Sequence, residues 1–62
     1  MNRIKELREA AGMTQAELAK RVGVSTTTVR NWELEYNYPS TYGMCKLADV
    51  FNTSIGYVWG MI

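Results

Sequence analysis

The sequence predicts an all-α fold, a compact bundle of five short helices formed by residues 1–62 as a single domain. Three observations predict it. Apolar residues recur at three- and four-residue spacings, and no useful stretch alternates with the two-residue period of a strand. Helix-opening residues (Thr14, Ser25, Ser40, Ser54) and helix-closing residues (Gly12, Gly23, Asn52) punctuate the chain at short intervals. A chain of 62 residues buries only about 60% of its unfolded surface, which leaves room for one small core.

The elements follow in order. Ile4, Leu7, the stem of Arg8 and Ala11 define a first helix over about 2–11, stopped by Gly12. Thr14 opens a second helix, with Glu17 three residues on. In this capping box each side chain satisfies the other residue's free backbone N–H. Leu18, Ala19 and Val22 form its apolar face and Gly23 ends it. Ser25 caps a third helix whose inward stripe is Val29 and Trp32, leaving Thr26, Thr27, Arg30 and Asn31 outside. Leu34 to Pro39 break the pattern and read as a loop. Ser40 caps a fourth helix with Met44, Leu47, Ala48 and Phe51 inward and Asn52 as a left-handed stop. Ser54 caps a last short helix lined by Ile55, Val58 and Trp59. Cys45 is expected as a small core residue.

Composition excludes several functions. With no histidine and one cysteine, the chain has no Cys/His nucleophile pair and no plausible zinc site, so neither an enzyme nor a metal or cofactor is expected. No run of 18 apolar residues is present and the N-terminus lacks a signal-peptide core, which leads to the expectation of a cytoplasmic protein. No small-molecule ligand is evident. Net charge is only +1, but it is polarised. Residues 1–31 carry six cations (Arg3, Lys5, Arg8, Lys20, Arg21, Arg30) against three acids, whereas residues 32–62 carry Lys46 against Glu33, Glu35 and Asp49. A basic first half fits one face turned to a polyanion.

Residues 15–34 carry the most specific pattern. Two helices crossing steeply through a three- or four-residue turn need a small residue at the crossing, a glycine in the turn and branched apolar side chains between them. Ala19, Gly23 and the set Leu18, Val24, Val29 and Trp32 meet those needs, so the second and third helices form a helix-turn-helix. The block T-Q-A-E-L-A-x-x-x-G-V-S at 14–25, with R-I-K-E-L-R at 3–8, P-S at 39–40 and K-L-A at 46–48, resembles the Cro/CI-like (XRE) family of regulators, which includes the lambdoid phage repressors. The resemblance covers nearly the whole chain.

That resemblance implies a sequence-specific, DNA-binding transcriptional regulator, in character a repressor of prophage or plasmid origin. Its third helix would lie in the major groove of double-stranded DNA. Thr26, Thr27, Arg30 and Asn31 are then the base readers, Arg30 toward guanine and Asn31 toward adenine. Thr14, Gln15, Ser25, Thr28, Asn37 and Tyr38 are the expected phosphate contacts. Gln15 matches a family glutamine that donates to a phosphate and braces the recognition helix. Arg8 and Glu33 match an architectural ion pair between the first and third helices. A homodimer on a palindromic operator is expected, with Tyr57, Trp59, Met61 and Ile62 as its interface, although some of this tail must also finish the core.

The chain departs from the family in its loop. Leu34-Glu35-Tyr36-Asn37-Tyr38 replaces a segment commonly rich in Asn, Gly and basic residues. Low non-specific affinity and a shallow salt dependence follow. The uncharged loop and acidic second half leave a second reading open, a protein-interaction module on the same fold such as an antitoxin-like partner.

Overall fold

A computed structural model describes residues 2–62. Among them are five helices: α1 (Ile4–Ala10), α2 (Gln15–Val22), α3 (Thr26–Glu33), α4 (Thr41–Phe51) and α5 (Ile55–Trp59). Four open on the hydroxyl caps read from the sequence. Thr14, Ser25, Ser40 and Ser54 each accept from the backbone N–H three residues on, and Thr14 with Glu17 completes the capping box. Such a cap contributes about 1 kcal/mol, which matters in helices too short to persist alone.

α1 is capped differently and is shorter than the expected 2–11. The Asn2 Oδ1 accepts from the Ile4 N–H at 3.0 Å, while its Nδ2 donates to the Trp32 carbonyl at 3.0 Å. The Arg3 N–H donates to the Val58 carbonyl at 2.8 Å, and Arg3 stands outside helical geometry as the N-cap, so the helix begins at Ile4. Ala11, expected on the inner face, is exposed beyond the helix end.

The core gathers one or more residues from every helix: Ile4, Leu18, Ala19, Val22, Val29, Trp32, Met44, Leu47 and Val58. Leu7, Val24, Phe51 and Trp59 pack against it while half-buried. Cys45 corrects the expectation of a core cysteine, because it lies exposed on α4. The inward stripe of that helix runs through Met44, Leu47 and Ala48, and Cys45 falls outside it. Ile55 remains 37% exposed, leaving Val58 as the fully buried anchor of α5.

Two backbone positions bear on the helix ends. Gly43, unusual in a helix, is buried. A Cβ there would stand 3.2 Å from the Pro39 Cβ and 3.8 Å from the Trp32 ring, so a side chain would require the loop before α4 to give by a few tenths of an ångström. After α3 the chain turns through Glu35 at φ 62°, a left-handed conformation that costs an L-residue about 1–2 kcal/mol. Here the Glu35 N–H reaches the Trp32 carbonyl and the Tyr36 N–H reaches the Asn31 carbonyl, closing the helix end without glycine.

Candidate nucleic-acid interface

The α2–α3 unit is built as its sequence requires. Gly23 takes φ 87°, and both its N–H and that of Val24 return to the Ala19 carbonyl, at 2.8 and 3.0 Å. Ala19 is buried at the crossing, and Val29 and Trp32 hold α3 against the core. With those two residues inward, Thr26, Thr27 and Arg30 are exposed and Asn31 is half-buried. Ser25 and Thr28 are engaged with each other, their hydroxyls 2.8 Å apart, while the Ser25 Oγ accepts from the Thr28 N–H. Asn37 and Tyr38 are exposed in the following loop, and the Tyr38 ring leans on Trp59 with centroids 5.8 Å apart.

The Arg8–Glu33 pair forms with bidentate geometry. Arg8 Nε donates to Glu33 Oε2 at 2.7 Å and Nη2 to Oε1 at 3.3 Å, while Nη1 holds the Met13 carbonyl at 2.8 Å. Side-chain exposure is 11% for Arg8 and 4% for Glu33. The hydrogen bond to Glu33 pushes the Arg8 guanidinium above its ordinary pKa against the opposing effect of burial, so its charge is permanent. Gln15 joins the pair, its amide donating to Glu33 Oε1 at 3.0 Å. The residue expected at a phosphate is therefore also bonded to the last residue of α3, which braces α2 against α3. At the start of α2, the backbone N–H and hydroxyl of Thr14 lower the pKa of Glu17, keeping the capping carboxylate ionised.

The basic first half divides into two groups. Arg3 is not presented to a ligand: its Nη1 donates to the Tyr57 carbonyl at 2.7 Å and its guanidinium stacks 4.0 Å from the Tyr57 ring centroid. Arg8 is neutralised by Glu33. Lys5, Lys20, Arg21 and Arg30 remain exposed. Lys5 is a groove residue that sequence reasoning did not single out. It lines a groove of about 430 Å³ between α1 and α3, together with Arg8, Glu9, Gln15, Arg30, Glu33 and Leu34. One signal could have found it: once Arg8 faces Glu33, the residue three positions earlier must share that flank. Nothing comparable announced Arg3, whose partner lies 54 residues away.

In the tail the expected interface residues part company. Val58 is fully buried and Trp59 half-buried, so both complete the core. Tyr57 is half-buried under Arg3. Met61 and Ile62 stay 76% and 74% exposed. No helix among the described residues is long and apolar enough to cross a membrane.

Known proteins share this arrangement. The chain is 36% identical over 58 residues to the HTH-type transcriptional regulator ImmR of Bacillus subtilis, and 31% identical over 58 residues to the cryptic phage CTXphi transcriptional repressor RstR of Vibrio cholerae. Those alignments cover 94% of this chain but 46% and 52% of the relatives, so the chain spans about half their length. An uncharacterised HTH-type transcriptional regulator of Archaeoglobus fulgidus is 49% identical over 53 residues, covering 86% of this chain and 75% of that protein. Among solved structures, the P22 c2 repressor in complex with synthetic operator 9T superposes with a TM-score of 0.91 at 28% identity, over 97% of this chain and 91% of that one. A family model described as helix-turn-helix matches residues 4–58, and the chain belongs to that helix-turn-helix family.

Proposed function

We propose that this chain binds double-stranded DNA by sequence, seating the N-terminal end of α3 in the major groove, and that it serves as a transcriptional regulator of the repressor kind. One observation carries the proposal. α3 is fixed to the core by Val29 and Trp32 and braced by the Arg8–Glu33–Gln15 network, while its opposite, N-terminal edge offers Thr26 and Thr27 to solvent. A rigid helix with a free polar edge is what base readout in the major groove demands. The likeness to a repressor solved on its operator supports the same reading.

Thr26, Thr27, Arg30 and Asn31 form the groove-facing set, with Arg30 at its margin. Thr14, Gln15, Ser25, Thr28, Asn37 and Tyr38 flank it as donors to phosphate. Capping leaves the Thr14 hydroxyl its own proton to donate, while Ser25 and Thr28 share one of theirs between them and so keep a single proton for phosphate.

A palindromic site requires two copies. The longest dimension of the Cα trace is 26 Å, whereas half-sites one turn apart lie about 34 Å from centre to centre. Met61 and Ile62, exposed beside Trp59 and Tyr57, are the surface through which two copies would meet.

Selection of bound sites from random duplex DNA tests the proposal. The expected result is an enriched two-fold symmetric sequence; no enrichment at about 50 mM salt, where phosphate attraction is strong, would refute it. Sedimentation with the selected duplex should give two chains per site. A second reading, a protein-interaction module, is favoured by the exposed Tyr36 and Tyr42 rings, and it would prevail if no duplex were selected.

A further inference from the structure

We infer that the groove between α1 and α3 seats one backbone phosphate between Lys5 and Arg30, and that Arg30 consequently anchors α3 instead of reading a base. The inference rests on the DNA-binding reading and refines it.

Position on the helix comes first. Arg30 precedes Glu33 by three residues, so the two share a flank, and Glu33 faces α1 through its bidentate bond with Arg8. Arg30 therefore stands on the α1 side of α3 and lines the groove opposite Lys5. Asn31 lies about 100° further round, while Thr27, three residues before Arg30, borders it on the side away from Glu33. The groove that Arg30 shares with Lys5, Arg8 and Glu33 is what draws it to the α1 side, away from Asn31.

Charge comes second. The groove holds three cations, Lys5, Arg8 and Arg30, against Glu9 and Glu33. Arg8 and Glu33 cancel, and Glu9 lies 3.9 Å from Arg8. The two remaining cations, Lys5 and Arg30, are exposed, and the groove carries a surplus of one positive charge, matching a phosphodiester. Gln15 lines the same groove, and its amide has a second N–H beyond the one given to Glu33. An arginine fork and an ammonium are suited to grip phosphate oxygens from two sides.

With base reading left to Thr26, Thr27 and Asn31, direct readout relies on hydroxyl, methyl and amide groups, a set that favours A·T pairs through the thymine methyl and the adenine edge.

The test uses the full chain with the duplex enriched by selection and a scrambled duplex, read by fluorescence anisotropy across a salt titration. Lys5→Ala and Arg30→Ala should each weaken both duplexes alike, by roughly three- to tenfold at ~50 mM salt, and each should flatten the slope of log affinity against log salt by about 1. Lys5→Arg should keep the slope. Thr27→Ala should instead reduce the preference for the selected duplex. Unchanged affinity and slope in Lys5→Ala would overturn the seat. An Arg30→Ala variant that loses preference for one guanine position while binding scrambled DNA normally would return Arg30 to base reading. If the unmodified chain binds no duplex, the DNA-binding reading itself fails, a result distinct from both.

Discussion

Removing Glu33 should uncouple three helices at once. Its carboxylate accepts from Arg8 Nε at 2.7 Å, Arg8 Nη2 at 3.3 Å and Gln15 Nε2 at 3.0 Å, thereby joining α1, α2 and α3. Glu33→Ala leaves the Arg8 guanidinium with only the Met13 carbonyl and the more distant Glu9, at 3.9 Å. Arg8→Ala leaves a carboxylate only 4% exposed with a single neutral donor. Stranding one charge of a fully buried pair costs 3–5 kcal/mol; partial exposure of Arg8 lowers this to about 2–3 kcal/mol for Glu33→Ala, with about 3 kcal/mol for Arg8→Ala. The double variant strands neither charge, so its cost should fall short of the sum by about 2 kcal/mol, within the range of coupling for residues in contact. Urea unfolding followed by Trp32 and Trp59 fluorescence gives all three values. In a domain of this size each kcal/mol corresponds to about 4–8 °C in Tm, so either single variant should melt at least 8 °C lower. Losses that add to within about 0.5 kcal/mol would show that the two groups do not depend on each other, and the architectural role would be refuted.

Three further outcomes follow from particular residues. Asn52 ends α4 at φ 53°, so Asn52→Ala should lower stability by about 1 kcal/mol while Asn52→Gly is neutral or better; equal urea midpoints for the two would count against the left-handed cap. Gly43→Ala sets a helix-propensity gain of up to about 1 kcal/mol against a Cβ placed 3.2 Å from the ring of buried Pro39. The rigid ring makes overpacking dominate, for a net loss of about 0.5–2 kcal/mol in urea unfolding; a gain would mean that the loop gives way. Glu17 has its pKa lowered by Thr14, so its stabilising effect is present above the unfolded value of about 4.3 and is lost as pH falls through the lower folded value. Relative to Glu17→Gln, the unmodified chain should therefore lose its advantage between about pH 5 and pH 3, as read from urea midpoints; a constant difference would contradict the capping assignment.

The sequence by itself determined the elements that depend on neighbours close along the chain. A hydroxyl three residues before a free N–H, a glycine in a turn and an apolar stripe at helical spacing are local relations. Thr14, Ser25, Gly23 and the stripe of Val29 and Trp32 accordingly stand where the pattern put them. The block at 14–25 disclosed the helix-turn-helix for the same reason. What only the tertiary structure decided involves partners far apart. The Arg3 N–H before α1 is bound to Val58, Arg3 is withdrawn from the basic face by Tyr57, and Cys45 lies exposed outside the stripe that α4 buries. Gly43 is legible only once Pro39 and Trp32 stand against it. Lys5 and Arg30 line one groove because α1 and α3 are joined by a partly buried charge pair. Loop closure over 25 or 54 residues leaves no periodicity in the chain, so such contacts are set by how the helices pack and not by any spacing that can be read along it.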